Sequence, residues 1–328
     1  NRSRPIMNEK IITYKKLIND EISKIHFSDK PKNLYEPLKY ILSLKSKRLR
    51  PTLSILSYKL FQNEIDNIII PSISLELFHN FTLIHDDIMD NADLRRGKIT
   101  VHKKWNKNIG ILSGDILMIY AYKLLEELSP KISGKIIKRF NEISIQVCEG
   151  QQYDMNYEEE DSIGEENYLE MIRLKTAVLI GFSLELGGLV ANCDKKTTKI
   201  LYKIGEMMGI GFQLMDDYLD VFGNSDFGKK IGGDIVSNKK TYLMIKLLEK
   251  SDKDDLEKIN EIKKSKDEKK KVNVISELML KYKINRITKE NINSYFEKAL
   301  KKLDQIECNL DNKTLLKEYF EKIMVRVS

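Results

Sequence analysis

Residues 71–90 read PSISLELFHNFTLIHDDIMD, and this stretch decides the fold. Ile73, Leu77, Phe78, Phe81, Leu83, Ile84 and Ile88 recur at three- and four-residue spacing and cover most of a helical circumference. That pattern predicts a helix from Ser72 to Asp90, buried on nearly all sides, with Pro71 at its start. The stretch closes on Asp86-Asp87-Ile88-Met89-Asp90. Positions i and i+4 of a helix share a face, and i+1 lies about 100° round from i. Carboxylates so placed repel: one pair at ~4 Å and an effective dielectric near 20 costs roughly 4 kcal/mol.

The design occurs twice. From Thr198 to Asp220, Leu201, Ile204, Met208, Phe212, Met215 and Leu219 predict a second buried helix, ending in Asp216-Asp217-Tyr218-Leu219-Asp220. One such cluster is as often as not a solvated helix end; a pair of them calls for a cation. The two helices are expected to face each other across one cavity. Every side-chain donor is an oxygen, which suits Mg²⁺ or Ca²⁺ and not zinc or copper. Neither copy has the spacing or the glycine of a calcium loop.

Basic runs lie near the first cluster, Lys45-Ser46-Lys47-Arg48-Leu49-Arg50-Pro51 upstream and Leu94-Arg95-Arg96-Gly97-Lys98 downstream. The chain has 56 basic residues but few arginines, and Arg48, Arg50, Arg95 and Arg96 are concentrated here. Arginine grips phosphate oxygens with a planar fork that lysine lacks, so two phosphate sites are expected. A loop at Gly223–Asn238, with Gly228, Gly232, Gly233, Lys229 and Lys230, has the composition to close over a phosphate.

The 328 residues are 41% hydrophobic, with only 6 prolines and 16 glycines, a composition that favours helix. Strand-like alternation is nearly absent. Interruptions fall near Asn63–Asn67, Asn91–Lys98, Glu158–Glu165, Asn192–Lys196, Gly223–Asn238 and Lys263–Lys271. One domain is expected over residues 8–328, with residues 1–7 an expression remnant or a disordered N-terminus. The net charge of +7 comes from dispersed lysines, and no motif points to nucleic acid. Cys148, Cys193 and Cys308 lack metal-ligand spacing and fit a reducing compartment. No uninterrupted apolar run reaches ~18 residues. A cytoplasmic protein without stable membrane insertion is expected.

The segment His79–Asp90 followed by Leu94-Arg95-Arg96-Gly97 resembles the first aspartate-rich motif of the trans-isoprenyl diphosphate synthases, or polyprenyl synthetases. Gly211-Phe212-Gln213 with Asp216, Asp217 and Asp220 resembles the second, and Lys175-Thr176 resembles the family's Lys-Thr pair. The likeness runs from about Leu34 to Tyr242. It implies an all-α isoprenoid synthase fold, on the order of ten helices or more around a central cavity, usually as a homodimer. It implies a prenyltransferase that condenses isopentenyl diphosphate head-to-tail (1′-4) with an allylic diphosphate, with about three Mg²⁺ per active site.

The resemblance also implies roles. Asp86, Asp90 and Asp216 would hold Mg²⁺, with Asp87, Asp217 and Asp220 bound directly or through water. Arg95, Lys175, Lys229 and Lys239 would contact the allylic diphosphate; Lys230 and Lys240 are one residue from matched lysines. Lys47, Arg50, His79 and Arg96 would bind isopentenyl diphosphate. Thr176 and Gln213 would lie near the developing carbocation. No role is assigned to His85. The family commonly has Gly-Gly where this chain has Lys45-Ser46, which predicts weaker isopentenyl diphosphate binding here.

Phe81 lies five positions before Asp86, ~7.5 Å along a helix axis, beside the small Thr82. In the family, an aromatic there without an insertion in the motif resembles short-chain enzymes making geranylgeranyl (C20) or farnesyl (C15) diphosphate, with Phe78 a second plug one turn deeper. A longer-chain synthase is the alternative. A terpene cyclase usually replaces the second motif, and a non-catalytic subunit usually loses one motif. Both motifs are complete here.

Overall fold

The computed structural model describes residues 3–223 and 231–324. Helices α1 (Ser3–Ser23), α2 (Lys32–Ser43), α3 (Leu49–Lys59) and α4 (Asp66–Met89) lead into a hairpin of β1 (Leu94–Arg95) and β2 (Lys98–Ile99). Next come α5 (Val101–Lys104), α6 (Lys107–Lys123) and α7 (Pro130–Glu159). α8 (Glu165–Ile172) passes through a π-helical turn, Arg173–Ala177, into α9 (Val178–Val190), and α10 (Lys195–Phe222) follows. The remainder is α11 (Gly233–Val236), α12 (Tyr242–Lys250), α13 (Lys253–Lys263), α14 (Glu268–Lys281), α15 (Ile284–Asp304) and α16 (Leu310–Met324). The all-α class is as expected, and the backbone of residues 3–7 belongs to α1.

The chain divides into two compact units. The first comprises Asn1–Phe140, Ser183–Lys199 and Cys308–Tyr319. Its central helix is α4, packed against α3 and α6. Ile73, Leu77, Phe78 and Ile84 are fully buried, as the all-round apolar pattern requires. The helix starts at Asp66, ahead of the expected Pro71, which lies inside it. Ile68 and Ile69 are buried too, so the apolar stripe extends upstream, and proline near a helix start removes only one backbone bond. Ser54 and Ser57 of α3 donate to the carbonyls of Ser183 and Leu184 at 2.7 and 2.6 Å, binding α3 to the start of α9's second half.

The hairpin of this unit was not legible as strand. Its two turn residues, Arg96 and Gly97, have φ of 55° and 74°, the double positive φ of a type I′ turn. Tyr40 Oη donates to the Ile99 carbonyl at 2.7 Å and Thr100 Oγ1 to that of Ala92 at 2.7 Å, fixing the hairpin to α2 and to the end of α4.

The second unit comprises Asn141–Phe182, Ile200–Glu307 and Phe320–Ser328. Leu243, Met244 and Leu247 of α12 pack with Ile259, Ile275, Leu278 and Ile284 from α13, α14 and α15. Thr241, Asp252 and Asp267 cap the starts of α12, α13 and α14 by accepting backbone N–H groups.

Among the described residues, two helical segments, Asp66–Met89 and Lys107–Glu127, are long and apolar enough to cross a membrane; the first is 72% buried within the protein and the second 33%.

Candidate active site

The first unit gathers arginines around the middle of α4. Arg48 sits in left-handed backbone (φ 47°) just before α3, and Ser46 Oγ accepts its N–H at 3.2 Å. Its guanidinium is 3% exposed and fully engaged, donating to Glu76 at 2.8 Å, Asn19 at 2.9 Å and the Leu42 carbonyl at 2.7 Å. Arg48 is thus an anchor for the Leu44–Arg48 loop, a role its sequence neighbourhood did not reveal. Lys45 and Ser46, at the usual glycine positions, keep ordinary negative φ, so the strained backbone of this loop belongs to Arg48.

Two residues on, Arg50 donates to His79 Nε2 at 3.0 Å. Burial, then the neighbouring Arg50 and Arg96, hold the His79 imidazole well below its ordinary pKa, so it is neutral and accepts through Nε2. Burial also lowers Arg50 to about 10 despite Glu76, with Arg96 pushing the same way. Arg50 Nε and Arg96 Nη1 are buried without a hydrogen-bond partner. Buried donors of this kind are costly unless something accepts from them. Arg50, Arg96 and His79 therefore form a cationic cluster that a phosphate would complete. Lys47, from the same loop, is exposed.

Arg95, across the hairpin turn, is committed elsewhere. Its guanidinium donates to Asp87 at 2.6 and 3.1 Å. Asp87 is 2% exposed, and burial raises its pKa while Arg95 opposes the rise. Asp86 is half-buried and Asp90 exposed.

The second unit repeats this disposition. Asp217 is 2% exposed, whereas Asp216 is exposed and Asp220 half-buried. Tyr168 Oη donates to Asp217, as do Gln213 Nε2 at 3.2 Å and the Tyr242 N–H at 3.4 Å. Burial above all pushes the Asp217 carboxyl up to about 7. In both copies the second aspartate turns inward, which follows from the 100° step between neighbours on a helix. Asp220 Oδ2 accepts the Asp234 N–H at 3.0 Å and so holds the start of α11.

Lys175 and Thr176 lie within the π-helical turn, a local irregularity found often at functional sites. Lys175 pairs with Asp154 of α7 at 2.6 Å, and Asp154 is a residue the sequence reading missed. Lys239 faces Asp234 at 3.9 Å, while Lys240 donates to the Tyr157 and Glu158 carbonyls at the end of α7. Lys240 therefore caps the C-terminal end of α7. Lys229 and Lys230 lie outside the described residues.

Of the residues expected to set product length, Phe81 and Phe78 touch edge to face at 5.4 Å, and Thr82 Oγ1 donates to the His79 carbonyl. The rings continue beyond the expected pair, from Phe78 to Phe140 at 4.9 Å and on to Tyr122, stacked at 4.8 Å. His85 stacks edge-on against Phe81 at 4.9 Å.

Among the described residues, no three His, Cys, Asp or Glu side chains converge to hold a metal ion by themselves.

An all-helical scaffold with two acid-tipped helices and a buried arginine cluster defines a prenyl-transferring enzyme of the isoprenoid synthase fold. The polyprenyl synthetase family model matches residues 31–279, and the chain belongs to that family. It is 39% identical over 236 residues to a geranylgeranyl pyrophosphate synthase of Geoglobus acetivorans, covering 71% of this chain and 74% of that one. It is 34% identical to a geranylgeranyl diphosphate synthase of Sulfolobus acidocaldarius over 94% and 95% of the two chains. The crystal structure of geranylgeranyl pyrophosphate synthetase from Pyrococcus horikoshii Ot3 superposes with a TM-score of 0.92 at 30% identity, covering 98% of each chain.

Proposed function

We propose that the protein condenses isopentenyl diphosphate with allylic diphosphates and stops at geranylgeranyl diphosphate, with farnesyl diphosphate the next candidate. The observation that carries the reading is the pair of buried, unpartnered guanidinium nitrogens, Arg50 Nε and Arg96 Nη1, beside neutral His79. Together with Lys47 they bind the diphosphate of the isopentenyl substrate. Arg95, Lys175, Lys239 and Lys229 bind the allylic diphosphate, Arg95 by exchanging Asp87 for phosphate oxygens.

Asp86, Asp90 and Asp216 would hold about three Mg²⁺, which would supply Lewis-acid stabilisation of the diphosphate leaving group. Asp87, Asp217 and Asp220, already bonded within the protein, act around them. The C1–O bond of the allylic substrate breaks, and the oxygens of Thr176 and Gln213 face the resulting cation. Gln213 is oriented for this, because its amide nitrogen is turned to Asp217. The isopentenyl double bond attacks C1, and the released diphosphate takes the proton lost from the new allylic unit.

The active form is a homodimer, for which the outward face of α6, with Ile111, Leu112 and Ile119 43–59% exposed, is the candidate contact. One catalytic domain spans residues 8–328. The three free cysteines fit a cytoplasmic setting.

The test is product analysis by mass spectrometry with Mg²⁺, isopentenyl diphosphate and, separately, C5, C10 and C15 primers. A C20 or C15 endpoint supports the reading. Products beyond C30 overturn the length assignment, and no elongation with any primer overturns the reaction.

A further inference from the structure

We propose that the open cavity bounded by α1, α2 and the Leu44–Arg48 loop binds an amphipathic anion, a short hydrocarbon chain with a phosphate head. The cavity measures about 430 Å³, at the small end of ligand pockets, which run from roughly 300 to 1,000 Å³. Ile22, Phe27, Leu42 and Leu44 supply an apolar wall, and all four are buried. Lys39 and Lys45 line it with exposed side chains. Lys39 has only a surface contact to Asp29 at 3.4 Å, which is weak and exchangeable. An apolar wall under two ammonium groups matches a chain with an anionic end, and a neutral lipid would leave the lysines unused.

Lys45 and Ser46 both line the cavity, so the loop contributes a cation and a hydroxyl to it. One residue leads from the cavity toward the cluster of Arg50, Arg96 and His79. Arg48 lines the cavity, ties Asn19 and Leu42 together, and lies two positions before Arg50. An occupant that spreads Asn19 from Leu42 displaces Arg48 and, with it, Arg50. Occupancy therefore raises the KM for isopentenyl diphosphate, a coupling that rests on the proposed reaction; the binding itself does not.

The experiment titrates full-length protein with geranyl monophosphate and with n-decyl phosphate, by calorimetry in the absence of divalent metal. Lys45→Gly removes the cation, and Ser43→Phe fills the cavity from its rim. Both variants are expected to bind at least tenfold more weakly than wild type. Ser43→Phe should elongate within twofold of the wild-type rate and lose the rise in isopentenyl diphosphate KM that the probe causes. A tenfold preference for geranyl phosphate identifies a prenyl chain as the occupant, and equal binding identifies any alkyl phosphate; each supports the site. Absence of binding to wild type, or unchanged binding in both variants, overturns it. Intact probe binding in a protein that fails to elongate sinks the reaction and leaves the site standing.

Discussion

A β-carbon at position 150 would lie 2.2 Å from the amide nitrogen of Lys175. Gly150 of α7 thus lets the π-helical turn press directly on a neighbouring backbone, and Gly209 of α10 does the same at Ala177, whose Cα a β-carbon would meet at 2.6 Å. The turn that carries Lys175 and Thr176 is closely approached by two glycines.

Gly150→Ala is therefore expected to destabilise by about 1–3 kcal/mol, as overpacking does, and to depress elongation more than that loss explains. Gly134, on the same helix, has nothing within 4 Å of its would-be β-carbon. Gly134→Ala should be neutral or stabilising by up to ~1 kcal/mol. Urea unfolding of the two variants compares them directly; equal stabilities would contradict the close contact.

Removing one partner from the Arg48–Glu76 pair leaves a charge stranded in the core. Arg48→Met should cost about 3–5 kcal/mol, and the double variant Arg48→Met/Glu76→Leu should recover most of it. A double variant no better than the single would show that Arg48 acts through Asn19 and Leu42 instead.

His102 is 5% exposed, and neither ring nitrogen has a hydrogen-bond partner. Burial, then Lys103, lowers its pKa below the ordinary 6.5, with Asp87 opposing. The unfolded chain therefore takes up a proton near pH 6.5 before the folded one does, and stability from this group is lost as pH falls below that value. His102→Phe should match or exceed wild type at pH 7.5, and its advantage should grow toward pH 5.5. Asp217 titrates with the opposite sign but is common to both proteins, so it cancels in the comparison. An advantage that shrinks with acid, read from urea midpoints, refutes the assignment.

Phe81→Ala should lengthen the product by one five-carbon unit, and Phe81→Ala/Phe78→Ala by more, because the ring contacts continue to Phe140 and Tyr122. Mass spectra of wild type and the two variants, made with one primer, decide this. An unchanged product distribution rejects both residues as stops.

Much of this was legible because it depends on helical period. The burial of α4 follows from spacing alone; the spacing also set Asp87 and Asp217 about 100° from their neighbours, but that they face inward came only from the structure. The hairpin escaped because two-residue strands carry no alternation, and the type I′ turn has an arginine at its first position. The π-helical turn has no local signature; it packs on glycines at 150 and 209, distant in sequence. Arg48 looked like any member of its basic run, since its partners Asn19, Leu42 and Glu76 are brought to it only by folding. Pro71 misplaced the start of α4 because proline is tolerated some way into a helix.

Asp86, Phe81 and Phe78 are carried on one unbroken helix, α4. Their separations are therefore set by helical rise, ~7.5 Å and ~12 Å along the axis, and motion elsewhere cannot slide one against another. With Phe81 and Phe78 as the proposed stops, the helix would work as a ruler with its zero mark at the acid cluster. A length change requires altering the size of a graduation, because the distances between graduations are fixed by the backbone itself.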